Sequence, residues 1–191
     1  MNEQGTAGHP FVLSLLLALG ALGAAPGAQA SLIGTDVDVS VIEFTDPVLT
    51  VHHAETVTVL DPGVEIAGLF GSFDVDIGAE SIRIDVLASG AIGTADFFGF
   101  QFESLNWSPI PGEITGFSNI ESNIVGIDIS RFISTADAVA INLQGLTLAQ
   151  GDFIDVTFAV QHDVPAPPAL GLLVGSLGLL GWISGRRRRR R

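Results

Sequence analysis

The sequence predicts an all-β protein: an antiparallel β-sandwich or jelly roll, flanked by an N-terminal signal helix and a C-terminal transmembrane helix. Three observations predict it. Residues 36–41 (DVDVSV) and 73–77 (FDVDI) alternate strictly between apolar and polar, the period of a half-buried strand. Turn signals built on Pro, Gly, Asn and Asp recur about every 8–12 residues through the interior, with no convincing amphipathic helix between them. Long uncharged apolar runs sit at the two ends of the chain, residues 11–22 and 169–183.

Residues 1–30 read as a signal peptide. An apolar core at 11–22 leads to small residues and to Ala28-Gln29-Ala30, the A-x-A pattern of a signal-peptidase site, with cleavage expected after Ala30. The n-region departs from the usual pattern: it has no Lys or Arg and carries Glu3. A buried helix of the folded domain is the alternative reading.

The body, residues 31–163, is a succession of roughly ten short strands. Residues 36–41 put valines inward and aspartates outward. Thr45-Asp46-Pro47 breaks the run. Residues 48–51 and 56–60 are β-branched runs, with a turn expected at His52-His53-Ala54-Glu55 between them. Asp61-Pro62-Gly63 is a turn in which Pro sets φ and Gly tolerates positive φ. Strands follow at 64–66, 73–77 and 81–87. Phe98, Phe100 and Phe102 alternate with Gly99 and Gln101 and are expected to form the densest part of the core. Further strands are expected at 113–117, 124–129, 131–133, 137–143, 146–148 and 153–160. No repeat of fixed period appears.

Charge is distributed unevenly. The body keeps twenty of the 21 carboxylates and only two of the eight cations, Arg83 and Arg131, a formal charge of −18 with histidines neutral. Such a domain repels phosphate backbones, so nucleic acid is excluded as a partner. The absence of cysteine excludes disulfides, thiolate metal sites and a cysteine nucleophile. Asp36/Asp38, Asp74/Asp76 and Asp152/Asp155 offer oxygen ligands of the kind Ca²⁺ takes, or they are solvated outward positions of alternating strands. None has EF-hand spacing. His52 and His53 point to opposite faces if extended, so they do not easily share one ion. Arg83 and Arg131 are expected to pair with neighbouring carboxylates, and either could hold an acidic sugar. Asn106-Trp107-Ser108 matches a glycosylation sequon by chance. No G-x-S-x-G elbow or other positioned nucleophile appears. We therefore assign no catalytic residue, no resident metal and no enzymatic activity.

The last 28 residues, 164–191, have three parts. Val164, Pro165, Ala166 and Pro167 open a proline-rich extended segment that continues neither strand nor helix. Residues 169–183 are uncharged, about 22 Å long as a helix, against a bilayer core of about 30 Å. Extended by its neighbours, the run is able to span a thin membrane. Trp182 sits where an interfacial aromatic would sit. Arg186, Arg187, Arg188, Arg189, Arg190 and Arg191 then hold the C-terminus on the cytoplasmic side, which puts the body outside.

This order of motif, Leu/Gly-rich apolar helix and terminal arginines resembles a PEP-CTERM sorting signal. Val164, Pro165 and Pro167 match the family motif, and Ala166 replaces its usual glutamate. The resemblance implies export in a Gram-negative bacterium and recognition of the tail by an exosortase, a membrane transpeptidase-like cysteine enzyme cutting near residues 164–167. This chain would be its substrate. Short pieces of the second half, among them Phe98-Gly99-Phe100-Gln101-Phe102, Leu105-Asn106-Trp107 and Asn142-Leu143-Gln144-Gly145-Leu146, are similar to bodies of some PEP-CTERM proteins and imply packing and turns, with no activity. The resulting expectation is a non-enzymatic envelope or exopolysaccharide-matrix protein, structural or carbohydrate-associated. The alternative is a Ca²⁺-dependent carbohydrate-binding or adhesion module.

Overall fold

A computed structural model describes residues 30–162, and these are all-β. The strands are β1 (Asp36–Thr45), β2 (Val48–Thr58), β3 (Ile66–Leu69), β4 (Phe73–Ile77), β5 (Ser81–Val86), β6 (Gly90–Ala91), β7 (Phe97–Glu103), β8 (Gly112–Ser122), β9 (Phe132–Ser134), β10 (Val139–Asn142), β11 (Thr147–Leu148) and β12 (Phe153–His162). Two five-stranded sheets, in the orders β2-β1-β7-β10-β9 and β3-β4-β5-β12-β8, make a sandwich-like body, and β11-β6 forms a small two-stranded sheet. Every pairing is antiparallel. The expected signal and transmembrane helices fall on residues outside those described. No helix among the described residues is long and apolar enough to cross a membrane.

The alternation seen in the sequence sets the two inner faces. Val37, Val39 and Val41 of β1 are at most 3% exposed and face Val75, Ile77, Ile82, Ile84, Ile154 and Val156 of the other sheet in one continuous apolar cluster. Period-two burial follows because successive side chains of a strand point to opposite faces. Phe100 and Phe102 are buried at its centre, stacked on each other at 6.1 Å. Phe73 of β4 meets Phe100 edge-on at 5.3 Å and so ties the two sheets together. Phe98 is only partly buried against this cluster and lies beside His52 at 5.6 Å. Gly99 sits between them because β10 passes close by. A Cβ there would strike the Ile141 carbonyl oxygen.

Three sequence expectations are corrected. His52 and His53 do not form a turn: β2 runs unbroken through them, and the reversal lies earlier, at Asp46-Pro47. Cross-strand pairing to β1 overrides the local polarity, and the strand absorbs His52 as the extra residue of a bulge, where Val41 pairs with His53 and Ile42 with Val51. Residues 124–129 are not a strand. Gly126 takes φ +93°, and the Asp128 side chain accepts the Ser130 amide, capping a single 3-10 turn at Ile129–Arg131. The segment expected at 64–66 begins only at Ile66, with Val64 left exposed.

Phe100→Ala is expected to lower stability by about 3–5 kcal/mol. Gly99→Ala is also expected to destabilise, although alanine suits a strand better than glycine, because the methyl must displace β10. Urea denaturation of both variants checks this. A neutral Gly99→Ala would mean that β7 and β10 separate at no cost.

Candidate functional site

The two ends of the described chain are brought to the same end of the sandwich by backbone pairing. Ser31 and Ser108 exchange amide–carbonyl bonds at 3.0 and 2.9 Å, and the Leu32 amide donates to the Ala79 carbonyl at 3.0 Å. Leu32 is fully buried beyond this bridge, so the first residues of the body are pinned by apolar contact and not only by hydrogen bonds. At the other terminus, β12 closes against β8, with His162 opposite Gly112. Glycine is needed there: a Cβ would lie 2.6 Å from His162 Nδ1 and 2.8 Å from a Val160 methyl.

Between the two ends lies a cleft of about 560 Å³, lined by Ala30, Ser31, Ile33, Ala79, Glu80, Ile110 and His162. His162 Nε2 is 3.3 Å from Glu80 Oε1. Trp107 is buried behind it, edge-on to Phe158 at 6.3 Å and to His162 at 6.4 Å. Two buried ring nitrogens there, Trp107 Nε1 and His162 Nδ1, have no hydrogen-bond partner among the described residues. The cleft is thus an apolar-walled notch with one imidazole–carboxylate pair on its rim, at the point where both chain ends leave the body.

Of the residues singled out from the sequence, Ala28, Val164, Pro165, Ala166, Pro167 and Arg186–Arg191 lie outside the described residues. Ala30 is described. It packs partly buried against the core and lines the cleft. The carboxylate pairs do not converge. Asp36 accepts the Thr58 hydroxyl at 2.6 Å, and Asp38 accepts Thr56 at 2.6 Å and Ser104 at 2.8 Å. Asp74 accepts the Gly68 amide and Asp152 the Ala149 amide, each at 2.7 Å. Among the described residues no three acidic or histidine side chains are grouped as metal ligands. His52 and His53 bond separate carboxylates, Glu43 at 3.0 Å and Glu55 at 2.9 Å. In the sequon, Trp107 is buried and Ser108 is held by the Ser31 bridge.

Arg83 pairs as expected, with Asp85 at 2.8 Å and Asp155 at 3.4 Å, and its guanidinium lies 4.7 Å over the Phe153 ring. Arg131 does not pair with a carboxylate. It donates to the carbonyls of Gly126, Asn142 and Gln144 and fastens the 123–131 loop to the body. The turns at positive-φ Gly126 and Gly145 leave carbonyls that strands do not satisfy, and a five-donor guanidinium takes several at once.

Glu65 escaped the sequence reading. It accepts the Leu60 amide at 2.8 Å and the Ile77 amide at 2.6 Å and so holds the Asp61-Pro62-Gly63 turn against β4. Its only sequence signal is a glutamate two residues after a turn. Hydrogen bonds from Thr56 and Ser104 hold Asp38 below the usual aspartate range, and those from Ser130 do the same for Asp128. Burial, then the nearby Glu65 and Asp85 charges, push Asp76 up, against the pull of Arg83. Comparison with models of known families, with curated proteins and with solved structures gave no match.

The raised Asp76 carboxyl has a defined stability consequence. The folded state holds that proton more tightly than the unfolded state, so ionised Asp76 opposes folding above its folded pKa. The penalty fades as pH falls and vanishes below the unfolded value of about 3.9. Asp76→Asn is therefore expected to stabilise the protein at pH 7, a gain that disappears in acid. Thermal melts across pH check it. A loss of stability at neutral pH would show that the Arg83 attraction dominates instead.

Proposed function

We propose that the chain is an exported, sorted protein of the cell envelope or exopolysaccharide matrix, with a non-enzymatic structural or carbohydrate-associated role. In this reading residues 1–30 form a signal helix removed after Ala30. Residues 164–191 form a PEP-CTERM-like signal whose apolar helix spans the membrane until an exosortase cuts near residues 164–167. The observation that carries the proposal is the three-part order of the tail: Val-Pro-Ala-Pro, an uncharged run at 169–183, and six arginines. Arginines that follow an apolar run directly are a cytoplasmic anchor by their desolvation cost, and a body of charge −18 before that run is hard to explain as a nucleic-acid binder.

The architecture supports this reading in one respect. Ala30 and His162, next to the two expected cuts, lie on the same cleft at one end of the body. Both processing sites would then face the membrane together, and the closed apolar core would stay clear of it. The six arginines would be a discarded address, leaving an acidic, lysine-free domain outside the cell.

Intact mass measurement of the protein from its host tests the proposal. The expected species runs from Ser31 to near Val164, alone or with an added anchor moiety. Replacing Ala166 with the family's glutamate (Ala166→Glu) is expected to raise the processed fraction, and replacing the six arginines with alanine to leave the tail uncut. An uncut N-terminus in the cytoplasm overturns the proposal.

A further inference from the structure

A sheet edge presents unpaired amides and carbonyls, and proteins blunt such edges by shortness, bulges, charge or cover. Three of the four edges of the two large sheets are blunted in these ways. β9 has three residues, and β3 has four with an irregular register. β8 is long but bulged twice, at Thr115 and Ser118, whose hydroxyls fold back onto carbonyls of β12, and its Ile114 amide is taken by the Ala136 carbonyl. β2 is different. Among the described residues it is the one long edge left open: eleven residues, nine of them exposed, with no proline and no lysine. Val48, Leu49 and Val51 are 60%, 59% and 54% exposed.

We propose that β2 pairs edge to edge with β2 of a second copy of this chain, antiparallel, about a two-fold axis at Ala54. Charge selects a second copy as the occupant. β2 carries one carboxylate and two imidazoles in a body of charge −18, so it is the long edge on which two such bodies repel least. With the axis at Ala54, His53 of each copy lies opposite Glu55 of the other, on the face where the two already bond within one chain at 2.9 Å. The pairing therefore makes a closed four-membered ring of alternating imidazole and carboxylate. Moving the axis by one position sets His53 against His53 or Glu55 against Glu55.

The bulge is compatible with this register. Val51 and Leu49 share the outer face with Ala54, Thr56 and Thr58, because their β1 partners Ile42 and Phe44 share it with Ser40, Asp38 and Asp36. Beyond His52, Val51 of one copy then lies opposite Thr56 of the other, Thr50 opposite Val57, and Leu49 opposite Thr58. All are β-branched or aliphatic partners of the kind that stabilise cross-strand pairs. The inference concerns the body alone and stands whether or not the sorting reading does.

Because the chain has no cysteine, one introduced thiol reads the contact without background. The test uses the full chain purified in detergent. The two copies of residue 54 would lie about 4.5–5.5 Å apart at Cα, within the range a disulfide bridges. Ala54→Cys is expected to oxidise to a covalent dimer. Thr58→Cys, whose copies would lie about 25 Å apart, is expected to dimerise at least about tenfold more slowly. Val51→Lys, on an exposed position, is expected to weaken dimerisation in sedimentation by about tenfold, since the change counts twice, with the far-UV spectrum unchanged. No Ala54→Cys dimer at the highest soluble concentration, or equal crosslinking at both positions, overturns the proposal. So does a dimer that survives Val51→Lys and crosslinks at neither position, because its contact would then lie in the tail.

Discussion

The apolar cluster in which Phe73 meets Phe100 edge-on at 5.3 Å holds the two sheets together, and the rest of the structure depends on it. Nothing covalent helps, because the chain has no cysteine. Nor do buried ion pairs, since the described residues bury no polar or charged side chain in the core. Cohesion between the sheets comes mainly from apolar burial, at about 25 cal/mol per Å². The charge of the body works against compaction, and among the described residues no carboxylate is buried. The core tolerates this load because period-two alternation separates the two populations strand by strand.

A body with twenty carboxylates and two arginines cannot neutralise itself by ion pairs. It uses neutral donors instead. Threonine and serine hydroxyls serve Asp36 and Asp38, and backbone amides serve Glu65, Asp74, Asp96, Asp128 and Asp152. An ionised acceptor makes a stronger hydrogen bond than a neutral one, so acidic side chains become the natural staples for turns. For Asp36 and Asp38 the spacing comes from strand alternation and the threonine partners from the next strand, whereas Asp152 caps its own turn at Ala149. The one group that fits badly, Asp76, is the one that finds carboxylates at hand and sees Arg83 committed to Asp85 and Asp155.

Sequence reading succeeded where structure is local and failed where it is not. The alternation of β1 and β4, the break at Asp61-Pro62-Gly63 and the buried Phe100 and Phe102 were legible because period and turn chemistry act within a few residues, although Gly63 does not use the positive φ it permits. The continuity of β2 through His52 and His53 was not, because it is imposed by β1 across a bulge. The apolar run at 124–129 suggested a strand, yet Gly126 and Asp128 settle it locally in the other direction. Arg131 was expected to pair with a carboxylate and does not, since its carbonyl partners exist only after the loop has folded. The cleft at the chain ends is of the same kind: Ser31 meets Ser108, and His162 meets Gly112 and Glu80, each across a long stretch of sequence.

The placement of the chain ends constrains how copies can associate. Both ends leave the body from one end of the sandwich, while β2 runs along its length. A two-fold axis that makes the β2 strands antiparallel also turns one body end over end relative to the other. Two paired bodies therefore point their terminal ends in opposite directions. Copies tethered side by side on one membrane would be disfavoured as partners, because one of them would have to invert on its short proline-rich leash. Copies cut free, or held on two facing surfaces, meet no such obstacle. If the tail is removed as proposed, geometry links that removal to edge pairing: pairing would follow release or bridge two surfaces.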